Sequence, residues 1–318
     1  MNKVLKIGTR DSQLAVWQAS LVQKLLKEKG FESELVYIKS DGDIDLVTPL
    51  YAIGVQGVFT RALDAALLSK RIDIAVHSMK DVPTQLAKGI QQAAVLPRAS
   101  YKDIFVYKDE SIIEELKLTE EEISSPSEDV GYVIATSSIR RQAQWLNRYP
   151  GCSIANLRGN VNTRLRKLEE NDWQGAIFAA AGLERISLRP EQSVELDWML
   201  PAPAQGAIMV VCNEDDTFSF DACKLLNNEA TALCAKIERD FLSTLMGGCS
   251  TPIGALAVVN NDEVKFKGNL LSIDGSEKMY TEKKLLVKDA AGLGVEAANE
   301  ILQNGGKQLA EAIRNVAK

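Results

Sequence analysis

Histidine is nearly absent: His77 is the only one in 318 residues. A multi-histidine metal site is thereby excluded. A Ser-His-Asp triad would have to use His77, and no GxSxG elbow accompanies it. Acid–base work falls more naturally to carboxylates. Cysteines are few and odd in number, namely Cys152, Cys212, Cys223, Cys234 and Cys249, and no pair has CxxC spacing. That argues against a disulfide framework and against a zinc ribbon. Free thiols fit the cytoplasm. No apolar run approaches the ~18 residues needed to span a bilayer, and Met1–Arg10 has no signal-peptide core. A positive net charge is missing too. At −6 the protein as a whole should not favour polyanions.

What is present is an ordinary globular composition, 46% hydrophobic and 25% charged. The length allows about two domains, with room for a third. One stretch runs against the acidic balance. Between Ala135 and Leu168 lie Arg140, Arg141, Arg148, Arg158, Arg164, Arg166 and Lys167, with no Asp or Glu among them. Arginine offers a planar fork that grips carboxylates or phosphates bidentately. An arginine cluster in an acidic protein reads as a specific anion pocket, whereas a nucleic-acid surface usually makes its domain basic and recruits lysine as well.

The periodicity predicts a strand at Val4–Gly8 and an amphipathic helix from about Ser12 to Lys29. Leu14, Trp17, Leu21, Val22, Leu25 and Leu26 form its apolar stripe, Asp11 or Ser12 its cap, and Gly30 its end. Its N-terminus beside Arg10 is a candidate anion site. A strand at Glu34–Ile38, a glycine-bearing loop from Ser40 to Gly57 and a helix near Val58–Lys70 follow. Next comes Asp73-Ile74-Ala75-Val76-His77-Ser78-Met79-Lys80-Asp81-Val82-Pro83, an apolar strand that delivers Lys80 and Asp81 to its carboxyl end, where open α/β sheets bind ligands. The series predicts a mostly parallel sheet.

Strands at Ile90–Leu96 and Asp103–Tyr107 precede an acidic stretch, Asp109–Asp129, read as a solvated helix and loop. A second βαβ series starts at Tyr132. Twice in it a strand ends in a polar turn that opens an arginine-bearing helix: Thr136-Ser137-Ser138, then Arg158-Gly159-Asn160. Hydroxyls, backbone N–H groups and guanidinium groups there suit a small anion. A Pro-rich crossover, Leu200–Gly206, returns the chain to the first lobe, and the pattern changes to α+β from about Phe218. Cys249 sits after Gly247 and Gly248 and before Pro252, which leaves two readings, a reactive thiol on a mobile loop or a small buried residue in a turn.

Seven motifs in order resemble the porphobilinogen deaminase (hydroxymethylbilane synthase) family. They are Arg10-x-Ser12-x-Leu14-Ala15, Asp73–Pro83, Thr136-Ser137-Ser138-Ile139-Arg140-Arg141, Leu157-Arg158-Gly159-Asn160-Val161, Ala180-Ala181-Gly182-Leu183, Gln205-Gly206-Ala207 and Gly247-Gly248-Cys249-x-x-Pro252-Ile253-Gly254. The resemblance spans nearly the whole chain. It implies an α/β fold of two doubly wound lobes around a cleft, resembling type II periplasmic binding proteins, plus a small C-terminal α+β domain. The expected domains are 1–98 with 201–217, then 99–200, then 218–318.

The resemblance further implies a transferase that joins four porphobilinogen molecules head to tail into hydroxymethylbilane, releasing ammonia, in tetrapyrrole (porphyrin, haem) synthesis. It implies a dipyrromethane cofactor in thioether linkage to Cys249. Asp81 is then the catalytic carboxylate. Lys80, Thr136, Ser137, Ser138, Arg140, Arg141 and Arg185 match cofactor-holding positions, and Arg10, Ser12, Gln18, Arg158 and Arg164 match substrate-holding ones. No metal, nucleic acid or membrane is expected, and the expected state is a cytoplasmic monomer. The chemistry agrees with the residues: each pyrrole carries an acetate and a propionate, which suits an acid-free arginine lobe. Loss of ammonia leaves a cationic, azafulvene-like species that a fixed carboxylate stabilises.

Two departures stand out. The family's lysine-containing glycine loop is here Gly54-Val55-Gln56-Gly57, and an earlier family lysine is Ala52, with Arg61 as a substitute cation. The stretch Glu114–Asp129 is also longer than usual. The rival reading is a non-catalytic two-lobed binding module for a small polycarboxylate, which would have no use for Cys249 or a third domain.

Overall fold

The computed structural model describes residues 3–39, 60–120, 131–245 and 251–316. The chain divides into two compact units. The described residues of the first are 3–39, 60–99 and 206–233, and those of the second are 100–120, 131–205, 234–245 and 251–316. The glycine loop with Gln56, the end of the acidic stretch, and Cys249 lie outside the described residues.

The first unit holds a five-stranded sheet in the order Ser33–Tyr37, Leu5–Thr9, Ile74–Ser78, Ile208–Asn213, Ile90–Val95. The first three strands are parallel, as the βαβ pattern predicts. The sheet as a whole is mixed, however, because Ile208–Asn213 runs antiparallel to both of its neighbours. Helix Gln13–Glu28 covers one face through Ala19, Val22 and Leu26. Its stripe is rotated from the sequence reading: Trp17 is 36% exposed and Gln18 is buried. Ser12 caps the helix by accepting from the Ala15 N–H at 3.4 Å, and Gly30 takes the left-handed conformation just past its end (φ +86°). Helix Thr217–Lys224 places Ala222 and Cys223 in the same core as Leu5, Ile74 and Val210.

The second unit repeats the plan with different residues. Its five-stranded sheet has the order Ser153–Ala155, Val133–Ala135, Gly175–Ala179, Asp103–Tyr107, Ser193–Glu195. Again the first three strands are parallel and the fourth is antiparallel to both neighbours. Helices Ile139–Arg148 and Val161–Glu170 follow the parallel strands. An aromatic core of Phe105, Trp145, Tyr149 and Trp198 has ring centroids 5.0–6.0 Å apart. The acidic stretch is not purely solvated as expected. Its short helix Ser111–Glu115 and the following turn drive Ile112, Leu116 and Leu118 into that aromatic core, because these are the apolar positions of the segment.

The same unit contains an antiparallel meander, Ile253–Asn260, Glu263–Leu271 and Lys278–Leu286. Helices Glu229–Thr244 and Leu293–Ile301 accompany it. Phe241 meets Phe266 edge-on at 5.1 Å. Glu238, fully buried on the first of these helices, accepts from the Ala204 N–H at 2.6 Å and the Ala257 N–H at 2.7 Å. One carboxylate thus ties the helix both to the sheet and to the proline-rich crossover.

Candidate functional site

In the first unit, two neighbouring parallel strands end side by side. Leu5–Thr9 delivers Arg10 and Ser12, and Ile74–Ser78 delivers Lys80 and Asp81. After Ser78 the chain makes a single 3-10 turn, Met79–Asp81. The turn is pinned by Met79 N–H to the Ala207 carbonyl (3.0 Å) and closed by Val82 N–H to the Met79 carbonyl (3.1 Å). Lys80 and Asp81 are half-buried on this turn. The Asp81 carboxylate meets no hydrogen-bond or ion-pair partner among the described residues. Gln18 is buried and donates from Nε2 to Ser78 Oγ at 2.9 Å, which docks the helix onto this strand end. Ser12 spends its hydroxyl on the helix cap. His77, 7% exposed, has its pKa pushed down to about 4 by burial and, secondarily, by the Arg10 charge. It is a neutral imidazole at neutral pH and cannot serve as a counter-cation.

In the second unit, strands Val133–Ala135 and Ser153–Ala155 pair in parallel and end together. Both are followed by a capped helix N-terminus. Ser138 Oγ accepts from the Arg141 N–H at 3.5 Å, and Asn160 Oδ1 accepts from the Thr163 N–H at 3.0 Å. The two turns are joined by Ser137 Oγ donating to Asn156 Oδ1 at 2.7 Å. Thr136 Oγ1 accepts from the Ser138 N–H at 3.2 Å. Gly159 has φ +116°, and a Cβ there would come within 2.7 Å of the Thr163 side chain, so the second turn requires glycine. Arg158 is buried, and Arg164 folds back to the Gly159 carbonyl at 2.8 Å. Arg185 follows the short helix Ala180–Glu184, and burial lowers its pKa to about 10 against the raising influence of Glu184. Two adjacent helix N-termini with guanidinium groups on their turns are suited to carboxylates.

The arginine run is not uniform. Arg140 and Arg141 are each 5% exposed and both reach Asp103, which is fully buried. Arg140 Nη1 lies 2.7 Å from Asp103 Oδ2, and Arg141 Nη2 lies 2.8 Å from Oδ1. Burial pushes the Arg140 pKa down while the Asp103 charge pushes it up. Arg148 packs its guanidinium over the Trp198 ring at 4.8 Å, and Arg166 pairs on the surface with Glu170 at 2.7 Å. The acid-free segment is thus answered by an acid from a distant strand. Asp103 was missed in the sequence, although an aspartate opening an otherwise apolar strand is a readable sign of a buried partner. Gln205, of the Gln205-Gly206-Ala207 motif, donates to Asp103 Oδ1 at 3.0 Å.

Among the described residues, no group of three His, Cys, Asp or Glu could hold a metal, and no helix is long and apolar enough to cross a membrane. The structure therefore describes a mixed α/β protein whose two five-stranded sheets present cationic strand ends, one of them with a poised carboxylate. The family model described as "Porphobilinogen deaminase, dipyromethane cofactor binding domain" matches residues 5–220, and that described as "Porphobilinogen deaminase, C-terminal domain" matches residues 232–303. The chain belongs to the porphobilinogen deaminase family. Its activity is that of a hydroxymethylbilane synthase, a transferase of tetrapyrrole synthesis, and its cofactor is dipyrromethane.

Among solved structures the chain is similar to the BvgS periplasmic domain of Bordetella pertussis, at 12% identity and TM-score 0.37, covering 70% of this chain and 39% of that one. It is similar to the probable amino-acid ABC transporter extracellular-binding protein ytmK of Bacillus subtilis, at 13% identity and TM-score 0.40, covering 71% and 90%. A third is the second substrate binding domain of a putative amino acid ABC transporter from Streptococcus pneumoniae, at 10% identity and TM-score 0.44, covering 70% and 91%.

Proposed function

We propose how this chain's own residues carry out the family's reaction. Asp81 is the catalytic carboxylate. It stands at a strand end on a turn tied to Ala207 through Met79, with its charge unneutralised by any described residue. That single observation carries the assignment. A carboxylate held in this way favours the positive charge that develops as porphobilinogen loses ammonia, and it can exchange the protons involved. Arg10 holds substrate carboxylates beside it. Gln18 acts through Ser78, and Ser12 through the helix N-terminus it caps.

The dipyrromethane, when bound, supplies the primer to which pyrroles are added. The donor set of the second unit fits its carboxylates: Thr136, Ser137 and Ser138 on one helix N-terminus, the Arg140–Arg141 pair on Asp103, and Arg185. Lys80, on the same turn as Asp81, is a further cofactor-holding cation. Arg158 and Arg164, on the second helix N-terminus, hold the growing chain's carboxylates. Cys249 would hold the dipyrromethane through a thioether at its sulfur. The three-domain division (1–98 with 201–217, 99–200, 218–318) and a cytoplasmic, monomeric state belong to the same proposal. The four described cysteines, all buried and unbridged, support a reducing compartment.

The test is the intact mass of the purified protein with Ehrlich's reagent as a colour assay. The expected result is a dipyrromethane-sized adduct that is absent from Cys249→Ser, because a serine hydroxyl is a far poorer nucleophile at neutral pH. An adduct retained by the serine variant would move the attachment elsewhere. Wild-type protein with no adduct and no colour would favour a binding module for small polycarboxylates.

A further inference from the structure

Helix Ile139–Arg148 carries two amide side chains that the site described above leaves unused, Gln144 and Asn147. Both are spent on the strand meander of the same unit. Gln144 is 5% exposed. Its Oε1 accepts from the Leu200 N–H at 2.8 Å and from Asn269 Nδ2 at 3.3 Å, and its Nε2 donates to the Leu200 carbonyl at 2.9 Å. Asn269, buried on strand Glu263–Leu271, accepts at Oδ1 from the Gly254 N–H at 2.9 Å. The next amide of that strand, Ala255 N–H, donates to the Pro201 carbonyl at 3.0 Å. A Cβ on Gly254 would come within 2.7 Å of Asn269 Oδ1 and 2.8 Å of the Leu200 Cβ, so the strand lies directly on the crossover. Further along the helix, Asn147 Nδ2 donates to the Gly275 carbonyl at 2.8 Å, in the turn between the last two strands of the meander. A buried polar network whose members are all paired specifies one arrangement of the elements that it joins.

We propose that Gln144 and Asn269 are positioning residues for attachment of the cofactor. They register the strand that follows Cys249 against the helix that follows Ser138. The inference rests on the reading that Cys249 carries the dipyrromethane and that this helix N-terminus takes its carboxylates. The Leu271 N–H donates to the Pro252 carbonyl at 3.1 Å, so the fixed backbone begins three residues after Cys249. Three extended residues reach at most about 11 Å. Registering the strand therefore confines the thiol to a small volume, and its meeting with a pyrrole held by the same unit becomes effectively intramolecular. In that step the sulfur bonds to the aminomethyl carbon of porphobilinogen as the carbon–nitrogen bond breaks. The thiol proton leaves with the nitrogen, as ammonium. A shift of about 1 Å in such an arrangement can cost a hundredfold in rate.

The experiment follows loading of the full-length chain, expressed in cells unable to make porphobilinogen. Adduct formation is timed by intact mass over a range of porphobilinogen concentrations, with thermal melts alongside, for wild type, Gln144→Met and Asn269→Leu. Both substitutions keep the side chain's approximate size and remove its hydrogen bonds. The limiting loading rate is expected to fall at least tenfold in each. The concentration giving half that rate is expected to stay within about twofold of wild type, because the groups that hold the pyrrole are untouched. A lowered melt with an unchanged limiting rate makes the network purely structural and overturns the proposal. A raised half-saturating concentration with an unchanged limiting rate assigns the pair to binding and overturns it as well.

Should either variant fail to fold, Asn269→Ser and Asn147→Ala decide, since the first keeps a shorter polar side chain and the second lies at the more open end of the contact. Each is expected to slow limiting loading about threefold, and the two together about tenfold. Limiting rates equal to wild type in both overturn the proposal. Wild-type protein that acquires no adduct, or Cys249→Ser protein that acquires one, overturns the assignment of Cys249 and this proposal with it, whereas normal limiting rates in the amide variants sink the positioning role alone.

Discussion

The two five-stranded sheets share a plan, three parallel strands followed by an antiparallel fourth, yet they place their key carboxylates oppositely. In the first unit Asp81 stands past the end of the third parallel strand, half-buried and without a described partner. In the second unit Asp103 opens the antiparallel strand, fully buried beneath two arginines and a glutamine. A carboxylate that accepts from Arg141 and Gln205 and pairs its charge with Arg140 is spent on architecture. One left unneutralised on a pinned turn retains its charge for a ligand. The contrast teaches that charge alone does not identify a catalytic acid, whereas the inventory of its partners does.

Asp103→Asn attacks the contrast hardest. It leaves two buried guanidinium groups with no anion, a change expected to cost roughly 3–5 kcal/mol of stability. Denaturant unfolding checks this, and a loss below about 1 kcal/mol would show that Asp103 is no keystone. Asp81→Asn should do the opposite, preserving the melt and removing activity. A unit charge ~4 Å from a developing cation is worth roughly 4 kcal/mol at an effective dielectric near 20, about a thousandfold in rate. Single-turnover kinetics on loaded protein tests it. Asp81→Glu should retain more activity than Asn, and substrate binding should fall much less than turnover. An Asn variant with a near-normal rate would remove Asp81 from the chemistry.

His77 sharpens the comparison through pH. Its folded pKa, near 4, lies below the ordinary value of 6.5, so between those values the unfolded chain binds the extra proton. Stability is therefore full above about pH 6.5 and declines as pH falls toward 4, by up to about 3 kcal/mol from this group. Unfolding midpoints between pH 6.5 and 5, above most carboxylate titrations, should decline in wild type and flatten in His77→Gln. Equal slopes would exclude His77 as the source. The smallest effects concern the caps, which the two units have in common. Ser12→Ala and Ser138→Ala should each cost about 1 kcal/mol, read as a small drop in melting temperature. A null result at either would mean that the hydroxyl does not cap its helix in solution.

Most elements were legible in the sequence because their signals are local. Alternation and apolar runs marked the strands within one or two residues, except the short edge strand Ser193–Glu195, which went unread, and Ser12, Ser138 and Asn160 announced their helices. Three readings fell short for reasons that are not local. The antiparallel fourth strand in each sheet depends on the edge from which the chain enters, which periodicity does not encode. The rotation that buries Gln18 and exposes Trp17 brings Gln18 to Ser78, 60 residues away. The acidic stretch hid Ile112, Leu116 and Leu118 because charge count outweighed pattern.

By itself, then, the sequence determined the α/β class, the family and the order of its motifs, since backbone propensity and apolar period are properties of short segments. It also determined that His77 cannot be part of a multi-histidine metal site. Only the tertiary structure decided which charges are spent and which remain. Arg140 and Arg141 are indistinguishable as neighbours in a chain. They become different residues once Asp103, 38 positions from Arg141, closes the side-on edge of one guanidinium and leaves the Nε of the other without an acceptor. Hydrogen-bond geometry acts over about 3 Å in space, and no distance along the chain reports it.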